Sequence, residues 1–278
     1  MPREAKHENL KSRAAFKLLQ VDQKFKIFQS SEGRALNVVD LGAAPGAWNQ
    51  VALEKCPKGS KILGVDILPY QPPRGVSSMQ ANILSRRTHE MIRSFFGSAE
   101  KERHSDALKD VEITTNTGDT IIVKENSMMG AQLSETNNES DDSKDDNSLN
   151  KTPIDVVLSD MYAPFVQISG FANATTNNPY FRMANTSGLV VRDHEMSMDL
   201  CDAALIVAIN LLKQGGCSVM KFFSGERDKY LEQRLQMVFH KVYRYKPTAS
   251  RSESRECYFV CLNKKADYID KLKVFSSA

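Results

Sequence analysis

The pattern of apolar positions along this chain changes repeatedly between short continuous runs and longer stretches with a helical period. Short runs rich in β-branched residues are typical of buried strands, and apolar residues three and four positions apart are typical of helices. Runs of the first kind occupy positions 36–39, 61–66, 76–81, 154–160, 217–223, 241–245 and 257–262. Stretches of the second kind occupy positions 10–28, 48–56, 86–96, 193–212 and 227–239. This alternation predicts an α/β domain.

A turn of small residues follows the first predicted strand. It contains Gly42, Pro45 and Gly46 and lies beyond the carboxyl end of the strand, where open α/β sheets bind ligands. Glycine has no Cβ, so the backbone can approach a ligand closely there. The turn lacks the G-x-G-x-x-G spacing of dinucleotide-binding proteins, and Pro45 removes an N–H group that would hold a pyrophosphate. The pattern therefore argues against a nicotinamide-dependent oxidoreductase, which stays an alternative.

Polar residues end the second and third predicted strands. Asp66 lies 20 residues beyond Gly46, and a carboxylate at this place can accept hydrogen bonds from both hydroxyls of a ribose. Asn82 follows the third strand, where its side chain can meet the edge of an adenine. These features predict an adenosine-type cofactor held without a phosphate clamp, which favours S-adenosylmethionine. A β-α-β unit without a ligand is the alternative.

Four charged residues lie where a doubly wound sheet would gather them at one edge. Asp160 and Lys221 end the fourth and fifth strands, Glu256 opens the last strand, and Lys17 belongs to the first helix. Lys221 is unusual because it lies in an apolar run, and lysine is almost never buried without a partner. Such a group suits the orientation or deprotonation of a poor nucleophile such as a hydroxyl. For Lys221, an ion pair that closes the sheet edge is the structural alternative.

The composition of the chain is ordinary for a globular protein, with 41% hydrophobic and 26% charged residues. No apolar run approaches the roughly 18 residues of a membrane-spanning helix. The five cysteines are scattered through predicted core elements and lack metal-ligand spacing. We therefore predict reduced thiols, no metal site and no membrane partner.

The net charge of +3 hides a strong asymmetry. Positions 97–151 carry 13 acidic and 6 basic residues, a net charge of −7, so the remainder has a net charge of +10. We predict one α/β domain from positions 1–96 and 152–278, and a largely disordered insertion at 97–151, least ordered at 134–150. A hairpin that includes Ile113 is a further possibility inside the insertion. The basic body favours a polyanionic partner such as RNA.

Six segments that follow one another in a characteristic order along the chain carry a resemblance to a known family. They read SRAAFKL at 12–18, VDLGAAPGAW at 39–48, GVD at 64–66, LSDM at 158–161, VMKF at 219–222, and KP to SRE at 246–256. The chain resembles the FtsJ/RrmJ family of ribose 2′-O-methyltransferases. The long turn-rich loop at 161–191, with YFRMANTSG at 180–188, and the RDH at 192–194 are similar to the fungal mitochondrial enzymes that methylate a uridine of large-subunit ribosomal RNA.

The resemblance implies a Rossmann-like domain with a mostly parallel seven-stranded sheet and an antiparallel C-terminal strand. It implies a catalytic tetrad, and S-adenosylmethionine as the cofactor. The tetrad falls on Lys17, Asp160, Lys221 and Glu256. The cofactor contacts fall on Pro45, Gly46, Ala47, Trp48, Asp66, Asn82 and Asp160. The family usually has aspartate where this chain has Asn82, although asparagine can still pair with an adenine amino group.

The same resemblance implies the partner and the compartment. The expected substrate is large-subunit ribosomal RNA or the pre-ribosomal large subunit, the expected compartment is the mitochondrion, and the expected process is ribosome biogenesis. No clear transit peptide precedes the first helix. Alternatives are a ribose methyltransferase for transfer RNA or a messenger cap, and a ribosome assembly factor whose catalysis is dispensable.

Overall fold

The computed structural model describes residues 13–30, 33–104, 111–114, 120–123, 152–163, 165–166, 183–184 and 186–276. Helices α1 to α6 span Arg13–Phe25, Ala47–Lys55, Arg86–His104, Val190–Leu211, Asp228–Val238 and Lys271–Ser276. Strands β1 to β11 span Asn37–Leu41, Lys61–Asp66, Ser77–Gln80, Val111–Thr114, Thr120–Val123, Ile154–Ser159, Phe165–Val166, Met183–Ala184, Leu212–Phe223, Phe239–Tyr245 and Glu256–Lys264.

The central sheet has seven strands in the order β10-β11-β9-β6-β1-β2-β3. Strand β11 runs antiparallel to both of its neighbours, and the other adjacent pairs are parallel. The predicted sheet, its strand count and its antiparallel C-terminal strand are therefore confirmed. The order reverses between β1 and β6, and such a switch point opens a crevice at the carboxyl ends of the strands.

Two apolar clusters cover the two faces of the sheet. Successive residues of a strand point to opposite faces, so Val38 belongs to one cluster and Val39 to the other. The cluster around Val38 includes buried residues of α1 and α2, whereas the cluster around Val39 includes residues of α3, α4 and α5. The sheet is thus buried on both faces, as a mostly parallel sheet requires.

The predicted junction between the fourth helix and the fifth strand was wrong. The sequence separates the helix at 193–212 from the strand at 217–223, with Gly215 and Gly216 as a predicted helix stop between them. In the structure α4 ends at Leu211 and β9 begins at once with Leu212. Ile154 pairs with Leu212 and Val156 with Cys217, so β9 carries extra residues at this point. Gly215 has a φ of +77°, which only glycine adopts readily. The glycines form an irregularity within the strand.

The chain divides into two compact units, residues 1–96 with 152–278, and residues 97–151. In the second unit, β4 and β5 pair antiparallel with Ile113 opposite Ile121, as the predicted hairpin requires. The expected disorder of 134–150 concerns residues outside the described part. Helix α3 continues past its predicted end at Phe96 and includes Gly97. A glycine inside a helix costs only about 1 kcal/mol, so it need not end the helix. None of the described helices is long and apolar enough to cross a membrane.

Candidate active site

A cavity of about 310 Å³ lies beyond the carboxyl ends of β1, β2 and β3. Its walls are mainly apolar, and Asp66 and Asn82 supply polar groups to it. The other lining residues are Gly42, Ala44, Val65, Ile67, Leu68, Ala81, Ile83, Leu84, Met161, Tyr162, Ala163 and Leu200. We call it the cofactor cavity.

The turn after β1 reaches this cavity because two of its residues are glycines. Gly42 has a φ of +72°, and a Cβ at this position would lie 2.8 Å from Cα of Met161. Gly46 has a φ of +97° and precedes the first turn of α2. The chain changes direction sharply at both positions, and the backbone conformation there disfavours residues other than glycine. The small-residue pattern in the sequence therefore has a steric cause.

Asp66 and Asn82 lie at the cavity as predicted, each held by backbone groups. The carboxylate of Asp66 accepts hydrogen bonds from the N–H groups of Ala44 (2.9 Å) and Leu68 (2.8 Å), one on each oxygen. Oδ1 of Asn82 accepts a hydrogen bond from the N–H of Leu84 at 3.0 Å. Each of these oxygens has a second lone pair for a ligand. The residues present thus fit an adenosine group, with a ribose at Asp66 and an adenine edge at Asn82.

The four turn residues predicted to contact the cofactor differ in their exposure. Pro45 is exposed, whereas Gly46, Ala47 and Trp48 are buried. The indole of Trp48 lies in the core, where its Nε1 donates to the carbonyl oxygen of Ala14 at 3.0 Å. Any contact between Trp48 and a ligand therefore comes from its backbone N–H, one of the groups that a helix start leaves without an intrahelical acceptor.

A second cavity, of about 830 Å³, adjoins the carboxyl end of β9, the amino end of β11 and the start of α1. All four residues of the predicted tetrad line this cavity, which we call the catalytic cavity. Asp160 belongs to its wall, and the next residues, Met161 and Tyr162, line the cofactor cavity. One short segment after β6 is therefore shared by both cavities.

The tetrad consists of two ion pairs. Nζ of Lys221 lies 2.9 Å from Oδ1 of Asp160 and also donates to the carbonyl oxygen of Asp160 at 2.7 Å. Nζ of Lys17 lies 2.6 and 2.8 Å from the two carboxylate oxygens of Glu256. The Lys221 side chain is 5% exposed and that of Lys17 is 17% exposed. Both lysines are therefore buried with partners, as charged side chains in a protein interior must be.

The two carboxylates differ in their tendency to ionise. Burial raises the pKa of Asp160 above its ordinary value, and the charge of Glu256 raises it further, although Lys221 opposes both effects. Burial alone would raise the pKa of Glu256 as well, but the charges of Lys17 and Lys221 outweigh it, so this pKa is lowered. Of the two carboxylates, Glu256 is thus the one that ionises more readily.

Two tyrosines near the tetrad were missed in the sequence. The hydroxyl of Tyr258 donates to Oε1 of Glu256, and its ring centroid lies 5.8 Å from that of Trp48. Nζ of Lys221 lies 5.1 Å from the ring centroid of Tyr162, a distance that favours a cation–π interaction. The spacing of two residues between Glu256 and Tyr258 in one strand was the available signal, since such residues share a face.

Basic residues surround the opening of the catalytic cavity. Arg13, Arg251 and Arg255 contribute to its lining, together with Thr186 and Gly188 from the segment that leads into α4 and Asp193 from the first turn of α4. Arginine is the side chain best suited to bidentate contacts with phosphate. Lys11, a further basic residue near Arg13 in the sequence, lies outside the described residues.

Comparisons with known proteins give a family match and two similar yeast proteins. The model of the family described as FtsJ-like methyltransferase matches residues 10–264. The chain is 47% identical, over 99% of its length and 87% of the relative's, to the protein named rRNA methyltransferase 2, mitochondrial, of Saccharomyces cerevisiae. It is 30% identical, over 95% of its length and 90% of the relative's, to the protein of the same name in Schizosaccharomyces pombe.

Among solved structures, a Plasmodium falciparum protein described as a ribosomal RNA methyltransferase has a similar fold, with a TM-score of 0.53 and 22% identity. The match covers 92% of this chain and 98% of that one.

Proposed function

We propose a function for this chain, which belongs to the FtsJ-like methyltransferase family. It transfers a methyl group from S-adenosylmethionine to a ribose 2′-hydroxyl of mitochondrial large-subunit ribosomal RNA. One observation supports this proposal above the others. A cavity suited to adenosine and a cavity lined by two lysine–carboxylate pairs lie on either side of a single segment, residues 160–162.

The cofactor cavity supports the choice of methyl donor. S-adenosylmethionine supplies a methyl group on a sulfonium, which is already activated for transfer. Asp66 would hold the ribose hydroxyls, Asn82 would pair with the adenine edge, and the apolar side chains beside them would exclude water from the ring. Asp160 would hold the methionine end, and the backbone N–H groups of Ala47 and Trp48 lie at a helix start that favours a carboxylate.

Lys221 is the residue placed to act on the hydroxyl. An ammonium group has three donors, and two of them are directed at Asp160. The third is available to the 2′-oxygen, where it would stabilise the negative charge that develops as the 2′ proton passes to water in the catalytic cavity. Because a methyl transfer needs alignment more than bond-breaking help, the rate depends on how firmly this oxygen is held.

Lys17 and Glu256 support Lys221 without replacing it. Their short ion pair fixes both side chains at the cavity wall, and Tyr258 holds the carboxylate from the core side. Glu256, kept ionised, would accept hydrogen bonds from the ribose. In this arrangement Asp160 would connect the cofactor with Lys221. The ion pair of Lys17 and Glu256 would position the sugar.

The guanidinium groups of Arg13, Arg251 and Arg255 would bind the phosphates beside the target nucleotide. The names of the similar yeast proteins support ribosomal RNA as the substrate and a mitochondrial location. The resemblance of the loop at 161–191 to the fungal mitochondrial enzymes supports a uridine target in large-subunit RNA, and the role in large-subunit assembly is proposed from that target.

The chemistry is tested by locating the methyl group. Large-subunit ribosomal RNA is incubated with the protein and labelled S-adenosylmethionine, then digested to nucleosides. We expect label on a ribose-methylated uridine, whereas label on a base would contradict the proposal.

The assembly role needs a separate experiment. A strain that carries Lys221→Ala is compared with a deletion strain for large-subunit assembly in mitochondria. Equal defects indicate that methylation is the relevant activity. A defect only in the deletion strain would favour an assembly factor whose catalysis is dispensable.

A further inference from the structure

The carboxyl end of β9 extends beyond its neighbour β6. Strand β6 ends at Ser159, which pairs with Met220, whereas β9 continues to Phe223. Within the described part of the chain, the backbone groups of β9 past Met220 on this side therefore have no strand beside them. They are buried, and buried backbone groups that lack partners are costly. This is also the part of β9 that carries Lys221.

Helix α4 supplies the missing partners through three side chains. Nδ1 of His194 lies 2.7 Å from the carbonyl oxygen of Phe223, and Oγ of Ser197 accepts a hydrogen bond from the N–H of Phe223 at 3.1 Å. Sγ of Cys201 donates to the carbonyl oxygen of Lys221 at 3.2 Å. Spacings of three and four residues place these side chains on one face of the helix. The face substitutes for a strand.

His194 has a defined tautomer in this arrangement. Its Nε2 accepts the backbone N–H of Arg227 at 3.0 Å, so the proton must lie on Nδ1, which donates to Phe223. The ring is 4% exposed. It fits closely, because a Cβ on Gly225 would lie 2.4 Å from its Cγ. His194 thus joins the end of β9 to the start of α5.

We propose that His194 is a positioning residue for Lys221, with Ser197 as its support. The inference rests on the proposed function of the catalytic cavity. By fixing the backbone of Phe223, His194 holds the end of β9 on the side where β6 is absent, and this keeps Nζ of Lys221 beside Asp160 and in line with the substrate hydroxyl. A shift of about 1 Å at such a site can cost roughly 100-fold in rate.

Two substitutions separate the two hydrogen bonds of the ring. Asparagine places an amide nitrogen near Nδ1 and keeps the donor to Phe223, whereas glutamine reaches toward Nε2 and keeps an acceptor for Arg227. We expect His194→Gln to lower kcat about tenfold or more and His194→Asn to stay within about threefold of the wild type. The affinity for S-adenosylmethionine, measured by calorimetry, should stay within about twofold in both.

Asp202→Asn is the matched control for general loosening of α4. Asp202 lies on the same helix and pairs with Arg234 of α5 at 2.7 Å. This variant should unfold at a lower temperature but keep kcat. A wild-type kcat in His194→Gln, or equal losses in all three variants, would overturn the proposal.

Hydrogen exchange gives a readout that does not depend on the substrate. Amides 221–225 should exchange faster in His194→Gln than in Asp202→Asn, and equal rates would overturn the positioning role. If the wild type transferred no methyl group to ribosomal RNA, the proposed function would fail while this exchange comparison would still decide the role of His194.

Discussion

The cofactor cavity and the catalytic cavity lie side by side and are built in different ways. The first is shaped by the backbone turn at Gly42 and by apolar side chains. The second is lined by paired charges, Lys17 with Glu256 and Lys221 with Asp160. Substitutions should therefore act on the first cavity through space and backbone conformation, and on the second through charge and hydrogen bonding.

Lys221→Ala tests this division with the largest expected effect. Loss of the group that would act on the hydroxyl should lower methyl transfer by roughly 100- to 10,000-fold. The affinity for S-adenosylmethionine should change only a few-fold, because Lys221 does not line the cofactor cavity. Single-turnover kinetics and calorimetry measure the two quantities. Lys229→Ala, at an exposed lysine of α5, is the control, and a near-normal rate in Lys221→Ala would refute the assignment.

Gly42→Ala should show the opposite pattern. A side chain there meets Met161 and forces a residue other than glycine to a φ of +72°, a strain of about 1–3 kcal/mol. Relief of the contact with Met161 would move the turn or Met161 at the wall of the cofactor cavity. We therefore expect roughly 5- to 150-fold weaker binding of S-adenosylmethionine, which corresponds to a loss of about 1–3 kcal/mol of binding energy. Gly33→Ala is the control, because Gly33 has a φ of +68° but a Cβ added there would meet no atom of the described residues within 4 Å. Equal binding losses in both variants would mean that the contact with Met161 is unimportant.

Glu256→Gln tests the ion pair through both rate and acid stability. The rate should fall by roughly 10- to 100-fold, because Lys17 loses its charged partner. The lowered pKa of Glu256 means that its stabilising contribution is present above the unfolded pKa and is lost as the pH falls through the folded pKa. As the pH falls through that window, the wild type should therefore lose more stability than the variant. Parallel melting temperatures across the window would contradict this.

Asp40→Asn should have a smaller effect, on stability. Burial, with the charges of Asp160 and Asp66, raises the pKa of Asp40 well above its ordinary value. Its contribution to stability is thus greatest at low pH and falls as the pH rises through the folded pKa. An uncharged asparagine keeps an acceptor for Nδ2 of Asn49, now 2.7 Å away. We expect a higher melting temperature above the folded pKa and a gain that shrinks as the pH falls below it; a gain independent of pH would contradict this.

Deletion of residues 134–150 should have the smallest effect of all. The segment is rich in serine, asparagine and acidic residues, and none of the predicted contacts of either cavity falls within it. Methyl transfer and cofactor affinity should stay close to those of the full chain. A loss of activity in a variant that still melts cooperatively would show that the insertion contributes to function.

The sequence predicted those parts that depend on local pattern. The turn at Gly42 and the acids after the strands were visible because residue type and position along a strand are enough to place them at one edge. The sequence also located Lys221, since a lysine within an apolar run needs a partner. The pairing itself came from the fold: Lys17 and Glu256 are 239 positions apart, and only the sheet order brings them together.

Tertiary packing accounts for most of what was missed. Trp48 follows a ligand-binding turn, yet its indole packs in the core against α1. The glycines at 215 and 216 read as a helix stop, but β9 absorbs them as an irregularity because the pairing with β6 resumes at Cys217. His194 lies within the predicted helix at 193–212, but the sequence gives no sign of its proposed role, which depends on β6 being shorter than β9.

A methyl-transfer assay with labelled S-adenosylmethionine tests the central claim most directly. Large-subunit ribosomal RNA, whole large subunits and transfer RNA are offered side by side to the wild type and to Lys221→Ala. The account predicts label on a ribose of large-subunit RNA, as naked RNA or within the subunit, and its loss in the variant. Label on transfer RNA alone would contradict the substrate, and equal labelling by both proteins would contradict the role of the catalytic cavity.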